Sequence, residues 1–499
     1  MRAMSEASNE RPVVQAGPAG PSKRTRRLML VGLGAAAAIY LGFAALHTLG
    51  IAAYKPGDEE RHVQYVVALE KHGRLPTMKE TRGATHPPLY YALVAKTTMR
   101  GVKTPKEAIP LVPKTRAISV AFGLVALLYV FGIVRRLVPS YPAVAVHATA
   151  FTAALPSFAN NCAVVGNDAM GLATQLGMTY AALVVLNDGP TLRRLAHVAF
   201  WLVVGGLVRI SAIAMIPGVL LAVVGGFYYH SDRERRRRLL LGASAAVGLV
   251  VLVALTSGWF YLGNRKRLGD VAGTDAILDK VRNNPVRPLY EVIFSPRTWL
   301  EIHDELWGKL AGNIRLGGAL GSLARIFTAA SLVGVALSVW RAKLWRAWRP
   351  WRTWFQAPGR FQWIAVACLV ASVILPTLHY HSKGGGLHQR YFFGILFVWT
   401  SLLATAGLFT KARLVSLASI SLALLLSFVD HFSYAAILAG KIKQFPLTNL
   451  LTNRQVAHPE LVAGGITALV GVGFVGVVYA VMLLHRPLRR VEPAAEPSE

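Results

Sequence analysis

Long apolar stretches separated by short basic clusters follow one another along most of the chain. A helix of roughly 20 apolar residues crosses the hydrocarbon core of a bilayer, and Lys and Arg collect on its cytoplasmic side. Together these rules predict an all-α polytopic membrane protein with about 12 transmembrane helices. The predicted spans lie at about 28–53, 117–134, 141–158, 169–187, 239–262, 322–340, 361–378 and 460–484, with two short spans on either side of 205–211, one that begins near 390 and one that ends near 430.

Polar segments divide these spans into two groups. Residues 1–26 are polar and have no hydrophobic period, which is typical of a disordered tail. A long outer loop at 54–115 follows the first span. The predicted units are a cytoplasmic tail at 1–26, a first membrane module at 27–240, a second membrane module at 241–485 with outer loops at 263–320 and 432–458, and a cytoplasmic tail at 486–499.

Parts of the outer loops repeat apolar residues at helical spacing without being apolar enough to span. In the first loop these are 62–71 and 89–99, and in the second loop 299–310. Such segments are typical of amphipathic helices at a membrane surface. We therefore expect two interfacial helices in the first outer loop and one in the second.

The charge of the chain indicates how its helices are oriented in the membrane and not which partners it binds. Its formal net charge is +30 and its pI about 10.6, which could indicate nucleic acid. The excess sits in clusters between apolar runs, such as Arg233 to Arg238, as the positive-inside rule describes. We predict no nucleic-acid partner. With only Cys162 and Cys368 present, the sequence supports neither a disulfide framework nor a thiolate metal site.

Ionisable and polar residues gather on the predicted outer face. Such groups at a membrane edge are costly unless they are paired or hydrated, which makes them candidates for a site. Acids together with cations on one face suit a reaction between an alcohol and a phosphate-bearing lipid. The candidates are Asp58, Glu59, Arg61, His62, His86, Tyr90, Asn167, Asp168, Arg209, His388, Arg390 and Tyr391.

Each candidate has a simpler interpretation. Asp58-Glu59 and Asp168 stand at predicted helix starts, where acids favour the N-terminus. Arg390 could anchor the interface, but a cation at an outer helix N-terminus opposes the dipole, which favours an anionic ligand. The histidines at 379, 381 and 388 could bind a metal, although this spacing beside a glycine run is a weak signal.

Four short motifs occur in the order found in a known superfamily. They are Asp58-Glu59-Glu60-Arg61-His62, Pro87-Pro88-Leu89-Tyr90-Tyr91, Gly166-Asn167-Asp168-Ala169 after Pro156, and Gln389-Arg390-Tyr391-Phe392. In this pattern the chain resembles the GT-C superfamily of integral membrane glycosyltransferases, in particular the protein O-mannosyltransferases and the lipid A aminoarabinose transferases. It departs from the latter at His62, where they have an aromatic residue, and at His86, where they have a phosphate-binding Lys.

The resemblance implies a GT-C-like fold with the catalytic module at 27–240 and a variable module at 241–485. It also implies inverting transfer of a sugar from a polyprenyl-phosphate donor to a hydroxyl of a lipid, glycan or protein. Asp58 is then the general base, and Glu59 positions the acceptor or nearby cations. Arg390, Arg61 and His86 bind the lipid phosphate. Asp168 binds a sugar hydroxyl, or a divalent cation of the kind found in the oligosaccharyltransferase branch. We expect no metal and no other cofactor.

The remaining candidates, His62, Tyr90, Asn167, Arg209, His388 and Tyr391, are expected to line the substrate site. The composition favours a bacterial inner membrane with the site on its periplasmic side. The alternative function is a transporter or flippase of a lipid-linked saccharide, in which the same charges line a pathway. A transporter predicts an internal repeat of spans, and the lopsided outer loops show none.

Overall fold

The computed structural model describes residues 21–55, 57–231, 233–281, 284–307, 318–341, 358–409, 417–427, 451–452 and 454–484. The predicted tail at 486–499, most of the tail at 1–26, and most of the loop at 432–458 lie outside the described residues. Throughout the described part the regular structure is helical, with no strand. The expected all-α class is confirmed.

The first half of the chain forms helices that are mostly bounded by a proline or a capping side chain. Thr191, for example, accepts a hydrogen bond from the backbone N–H of Arg194, which satisfies one free donor at the helix start. These helices are α1 (Lys23–Gly50), α2 (Glu59–His72), α3 (Leu89–Thr97), α4 (Pro105–Ala108), α5 (Val112–Leu137), α6 (Pro142–Ala154), α7 (Pro156–Cys162), α8 (Asp168–Asp188), α9 (Leu192–Gly206), α10 (Ile210–Ala214) and α11 (Ile216–His230).

The described part of the second half is also helical. Short 3₁₀ turns at Arg82–Thr85, Ile109–Leu111, Gln389–Tyr391 and Phe393–Ile395 complete the pattern. The helices of this half are α12 (Arg235–Leu268), α13 (Thr274–Val281), α14 (Leu289–Phe294), α15 (Pro296–Trp307), α16 (Gly318–Arg341), α17 (Pro358–Ser382), α18 (Leu396–Phe409), α19 (Leu417–Ser427) and α20 (Pro459–Leu484).

Among the described residues, six helices are long and apolar enough to cross a membrane, namely α1, the Pro105–Leu137 stretch, α8, α12, α17 and α20. A seventh span is possible if α6 and α7, bent by 66°, act as one. The multi-pass prediction is confirmed, but the count of twelve is not. The bend lies at Pro156, and proline cannot continue the helix before it. The region expected to hold two short spans forms helices of 15, 5 and 15 residues.

Helix packing is closest between the two ends of the chain. The first helix, α1, packs along α20 and against α6. At the crossing of α1 and α20, a Cβ added to Gly473 would lie 2.7 Å from the carbonyl oxygen of Ala35, so only glycine allows this approach. By contrast, α12 exposes Leu240, Val247 and Leu255 on one side, as lipid-facing helices do.

The first outer loop differs from the prediction in one respect. Helices α2 and α3 form where amphipathic helices were expected, but their apolar faces pack inside the protein. Val66 and Val94 are fully buried in a cluster of their own, and the rings of Tyr65 and Tyr91 stack with centroids 3.8 Å apart. Since burial of each such side chain stabilises by about 1.5–3 kcal/mol, this loop is an ordered layer over the end of the helix bundle.

Candidate active site

Asp58 stands immediately before α2, and its side chain does not cap the helix. The carboxylate instead binds two guanidinium groups. Arg61, one turn along α2, pairs with Oδ1, and Arg390 donates from Nη2 to Oδ2 at 2.8 Å. The capping interpretation of Asp58 is therefore wrong. Residues 332 positions apart in sequence meet at this contact.

Asp168 joins the same cluster from the first turn of α8. It forms an ion pair with Arg209, and Nη1 of Arg390 lies 3.6 Å from its Oδ2. Arg209 comes from the turn between α9 and α10, as the broken apolar pattern at 205–211 predicted. Arg390 thus bridges two carboxylates that begin two different helices.

Arg390 lies on a 3₁₀ turn, Gln389–Tyr391, rather than at an α-helix N-terminus. The unfavourable dipole contact expected from the sequence is therefore replaced by contacts with carboxylates. Its guanidinium also lies 5.7 Å from the ring centroid of Tyr391, close enough for a cation–π contact. The rings of His388 and Tyr391 meet edge to face, with centroids 5.5 Å apart.

The ionisable groups of this cluster shift one another's pKa values. Burial opposes ionisation of Asp58, but Arg390, His62 and Arg61 together outweigh it and hold the pKa of Asp58 well below its usual range. Burial and the nearby Arg390 lower the pKa of Arg209 to about 10. Burial also opposes the charge of Arg390, yet Tyr391 and Asp58 raise its pKa. At neutral pH Asp58, Arg209 and Arg390 are therefore ionised.

The two histidines of the cluster are neutral. Burial, reinforced by Arg390 and Arg209, lowers the pKa of His62 to about 4. Its Nδ1 lies 2.8 Å from the hydroxyl oxygen of Tyr91, and its ring stacks on that of His86, with centroids 5.8 Å apart. Burial likewise lowers the pKa of His86 well below its usual value. His86 can therefore offer only a neutral hydrogen bond, and its expected contact with the lipid phosphate stays a prediction.

Glu59 is fully buried and binds a cation, which is one of the two roles expected for it. Both of its oxygens bind Arg116, at 2.8 and 2.7 Å, and they accept the backbone N–H groups of Tyr54 and Val165 at 2.9 Å. Arg116 also donates to the carbonyl oxygen of Ile51 at 2.6 Å. These contacts occupy the Glu59 carboxylate, so it fixes the loop that carries Asp58 instead of contacting an acceptor.

Arg116 escaped the sequence analysis, and Tyr90 was misassigned by it. Arg116 resembled an ordinary membrane-edge cation, and only its position at the start of an apolar run could have drawn attention. Tyr90 is fully buried. Its hydroxyl lies 2.9 Å from Oγ of Ser119 and accepts the N–H of Gly166 at 3.1 Å. It holds the segment before Asp168 in place and does not face the cavity.

A cavity of about 760 Å³ opens beside the cluster, which is within the size range of small-molecule sites. Asn167 lies at its wall and donates to the carbonyl oxygen of Val208 at 2.9 Å. Apolar side chains from α10, α13 and α17 line another part of the wall, including Ile210, Ile277 and Val373. The predicted site residues that line the cavity are Asp58, Glu59, Arg61, His62, His86, Asn167, Asp168, Arg209, His388, Arg390 and Tyr391.

The side chains present do not form a metal centre. Within the described residues, no three His, Cys, Asp or Glu side chains are grouped as a metal would require. His381 is bound by Arg287 and by the carbonyl oxygen of Gly385. Asp58 and Asp168 share their surroundings with Arg61, Arg209 and Arg390, whose positive charges oppose a divalent cation.

The fold and site together define a multi-pass helical membrane protein with a charged cavity at one end of its bundle. A family model described as "Dolichyl-phosphate-mannose-protein mannosyltransferase" matches residues 112–261, a stretch that contains Arg116, Asp168 and Arg209. The expected resemblance to the GT-C superfamily and its O-mannosyltransferases is thereby confirmed. The match supports a glycosyltransferase.

Two solved structures resemble this chain at low sequence identity. ArnT from Cupriavidus metallidurans bound to undecaprenyl phosphate is 14% identical, with a TM-score of 0.48 over 91% of this chain and 76% of that chain. The oligosaccharyltransferase of Archaeoglobus fulgidus in complex with Zn and sulfate is 14% identical, with a TM-score of 0.43 over 81% of this chain and 56% of that chain. No curated protein sequence matches this chain.

Proposed function

We propose that this protein transfers a sugar, with inversion, from a polyprenyl-phosphate donor to a hydroxyl of a lipid, glycan or protein. The reaction takes place at the outer face of the plasma membrane, on the periplasmic side of a bacterial inner membrane. The observation that carries the proposal is the contact between Asp58 and Arg390 at the wall of one cavity. A base and a phosphate-binding cation are the two groups that such a transfer needs.

The donor phosphate is bound by guanidinium groups. Arg390 and Arg209 are held close together by Asp168, and Arg61 lies beside Asp58. Charge-assisted hydrogen bonds from guanidinium to phosphate are strong and directional. The apolar wall near Ile210 and Val373 suits the first isoprene units of the lipid.

Asp58 accepts the proton of the acceptor hydroxyl. As the hydroxyl oxygen bonds to the anomeric carbon, the bond from that carbon to the phosphate oxygen breaks. The proton passes to Asp58, and the phosphate leaves with one more negative charge. The ion pair with Arg390 weakens Asp58 as a base. Donor phosphate competes for that guanidinium, so donor binding restores the basicity of Asp58.

The rest of the wall orients the sugar. Asp168 accepts a sugar hydroxyl, and Asn167, His62, His388 and Tyr391 surround the ring. Neutral imidazoles and amides suit carbohydrate hydroxyls because each can either donate or accept. We further propose that no divalent cation takes part, since the guanidinium groups already balance the two carboxylates.

The test is sugar transfer by the purified full-length protein in lipid nanodiscs, supplied with polyprenyl-phosphate sugars and a set of hydroxyl acceptors. Asp58→Asn keeps the size of the side chain but removes the base, and we expect turnover to fall by about 10²–10⁴-fold. Glu60→Gln, on the exposed side of the same helix turn, is the matched control. Near wild-type turnover in Asp58→Asn would remove the proposed base. Movement of a lipid-linked saccharide across vesicles, without transfer, would favour a flippase.

A further inference from the structure

The segment between α17 and α18 presents Arg390 to both carboxylates, although its own sequence gives it little stiffness. It begins with Gly384-Gly385-Gly386, and Gly384 adopts a positive φ of 95°. Glycine has the largest conformational freedom of any residue. Some other part of the protein must therefore fix this segment for Arg390 to lie 2.8 Å from Asp58.

One side of the glycine run is held by the second outer loop. The backbone N–H of Asn284 donates to the carbonyl oxygen of Gly384 at 3.2 Å, and that of Arg287 to Ser382 at 2.8 Å. The amide of Asn284 also donates to the carbonyl oxygen of Gly385 at 3.1 Å. These bonds fix the start of the segment but end before Arg390.

The other side is held by a single buried carboxylate. Glu305, on α15, is completely buried, and its Oε2 accepts the backbone N–H of Gln389 at 2.9 Å. Gln389 is the first residue of the 3₁₀ turn that carries Arg390. This hydrogen bond to a buried carboxyl oxygen ties the turn to α15 directly before Arg390.

Helix α15 can impose a position because it is itself fixed. Asp304 binds Arg325 of α16, and the indole N–H of Trp307 donates to Oγ1 of Thr328 at 3.0 Å. The fully buried Trp307 ring packs edge to face on Phe151 of α6, with centroids 5.3 Å apart. Polar and apolar contacts on two sides therefore hold α15 against the bundle.

We propose that Glu305 is a positioning residue that sets Arg390 for its anionic ligand by anchoring the N–H of Gln389. What Arg390 binds rests on the proposed function, but the anchoring does not. The second outer loop then serves the donor side of the site. Glu305 does not face the cavity, so it acts through the backbone and not on the substrate.

Hydrogen–deuterium exchange of the full-length protein in nanodiscs tests the anchoring without any ligand. In Glu305→Ala the peptide covering 387–392 should exchange about tenfold faster, since a buried N–H loses its acceptor. Glu305→Gln keeps an oxygen acceptor and should restore most of the protection. The matched control is Glu301→Ala, one turn earlier on α15. Exchange equal to wild type in Glu305→Ala, or equal acceleration in Glu301→Ala, overturns the proposal.

A second variant removes the donor of the same hydrogen bond, the N–H of Gln389, in case Glu305→Ala does not fold. Gln389→Pro removes the N–H while leaving α15 intact, and His388 precedes it with an extended ψ of 139°, which proline accepts. It should accelerate exchange at 390–392 as Glu305→Ala does. Unchanged exchange in this variant also overturns the anchoring role.

Binding of undecaprenyl phosphate connects the anchor to function. Glu305→Ala should weaken its affinity about tenfold, with Glu305→Gln close to wild type, because Arg390 loses its fixed geometry. Unchanged affinity in Glu305→Ala overturns the link to the ligand. If the wild-type protein does not bind this lipid, the proposed function fails, while the exchange experiment still decides the anchoring.

Discussion

Asp58 and Glu59 are neighbours in sequence and both bind arginine, yet they lie in opposite surroundings. The Glu59–Arg116 pair has side chains with 0% exposure. The Asp58 side chain is 27% exposed at the edge of the cavity, and that of Arg390 is 23% exposed. The difference teaches that access, and not residue type, separates a structural ion pair from one that a ligand can reach.

The largest effect should follow from removing one partner of the buried Glu59–Arg116 pair. Arg116→Ala leaves the Glu59 carboxylate buried without its counter-charge, and we expect a loss of about 3–5 kcal/mol in the free energy of unfolding. Thermal unfolding in detergent measures it. In a double-mutant cycle with Glu59→Gln, the combined loss should be smaller than the sum. An Arg116→Ala protein as stable as wild type would show that the pair holds nothing together.

Acid should destabilise the folded first outer loop, which carries His62 beside Asp58 and Arg390. The pKa of His62 falls from its ordinary 6.5 to about 4 on folding, so the unfolded chain binds more protons between these values. Stability is therefore full above about pH 6.5 and falls as the pH drops towards 4, by up to about 3 kcal/mol.

His62→Gln should reduce the pH dependence of unfolding in that window without removing it, because burial also lowers the pKa of His86. The exposed His72→Gln is the control. Asp58 adds little here, since the pKa of Asp58 lies below its usual range and its contribution is lost only at lower pH. An unchanged slope in His62→Gln would show that His62 is not the group that titrates.

A smaller effect should come from Arg390→Lys. Lysine keeps the charge but cannot bridge Asp58 and Asp168 with two nitrogens, so affinity for undecaprenyl phosphate should fall about tenfold. The unfolding temperature should hardly change, in contrast to Arg116→Ala, because this pair is partly exposed and Lys keeps the positive charge beside Asp58. A large drop in stability with intact lipid binding would reverse the roles we give to the two arginines.

The smallest effect should follow from removing divalent ions. Since guanidinium groups balance the carboxylates of Asp58 and Asp168, EDTA should leave the rate of sugar transfer unchanged. Assays with and without added Mg²⁺ or Mn²⁺ provide the comparison. Loss of transfer with EDTA, restored by either ion, would contradict the metal-free proposal.

The sequence predicted most of the partly exposed charge cluster around Asp58 and Arg390. Positive-inside clusters placed the loops of Asp58, Asp168, Arg209 and Arg390 on one face, and the structure brings those four side chains together. This succeeded because loop sidedness depends on local charge and on span order, both of which can be read directly from the sequence.

The contacts of the buried residues Glu59, Tyr90 and Glu305 could not be predicted in the same way. Glu59 and Tyr90 belong to motifs shared with the site, but their burial depends on Arg116 and Ser119 from a distant helix. Glu305 stands in an amphipathic pattern that carries no mark of its contact with Gln389. Apolar content also does not show where helices such as α6 and α7 bend, so the count of about twelve spans is not confirmed among the described residues.

The close crossing of α1 and α20 has a consequence for biosynthesis. About 400 residues separate the end of α1 from the start of α20, and at a synthesis rate of about 5–20 residues per second this interval lasts roughly 20–80 seconds. During that time the first helix stands in the bilayer without its main neighbour. Assembly therefore completes only after α20 has entered the bilayer, and a product terminated before α20 leaves the Gly42 groove of α1, which receives Val470, open to lipid.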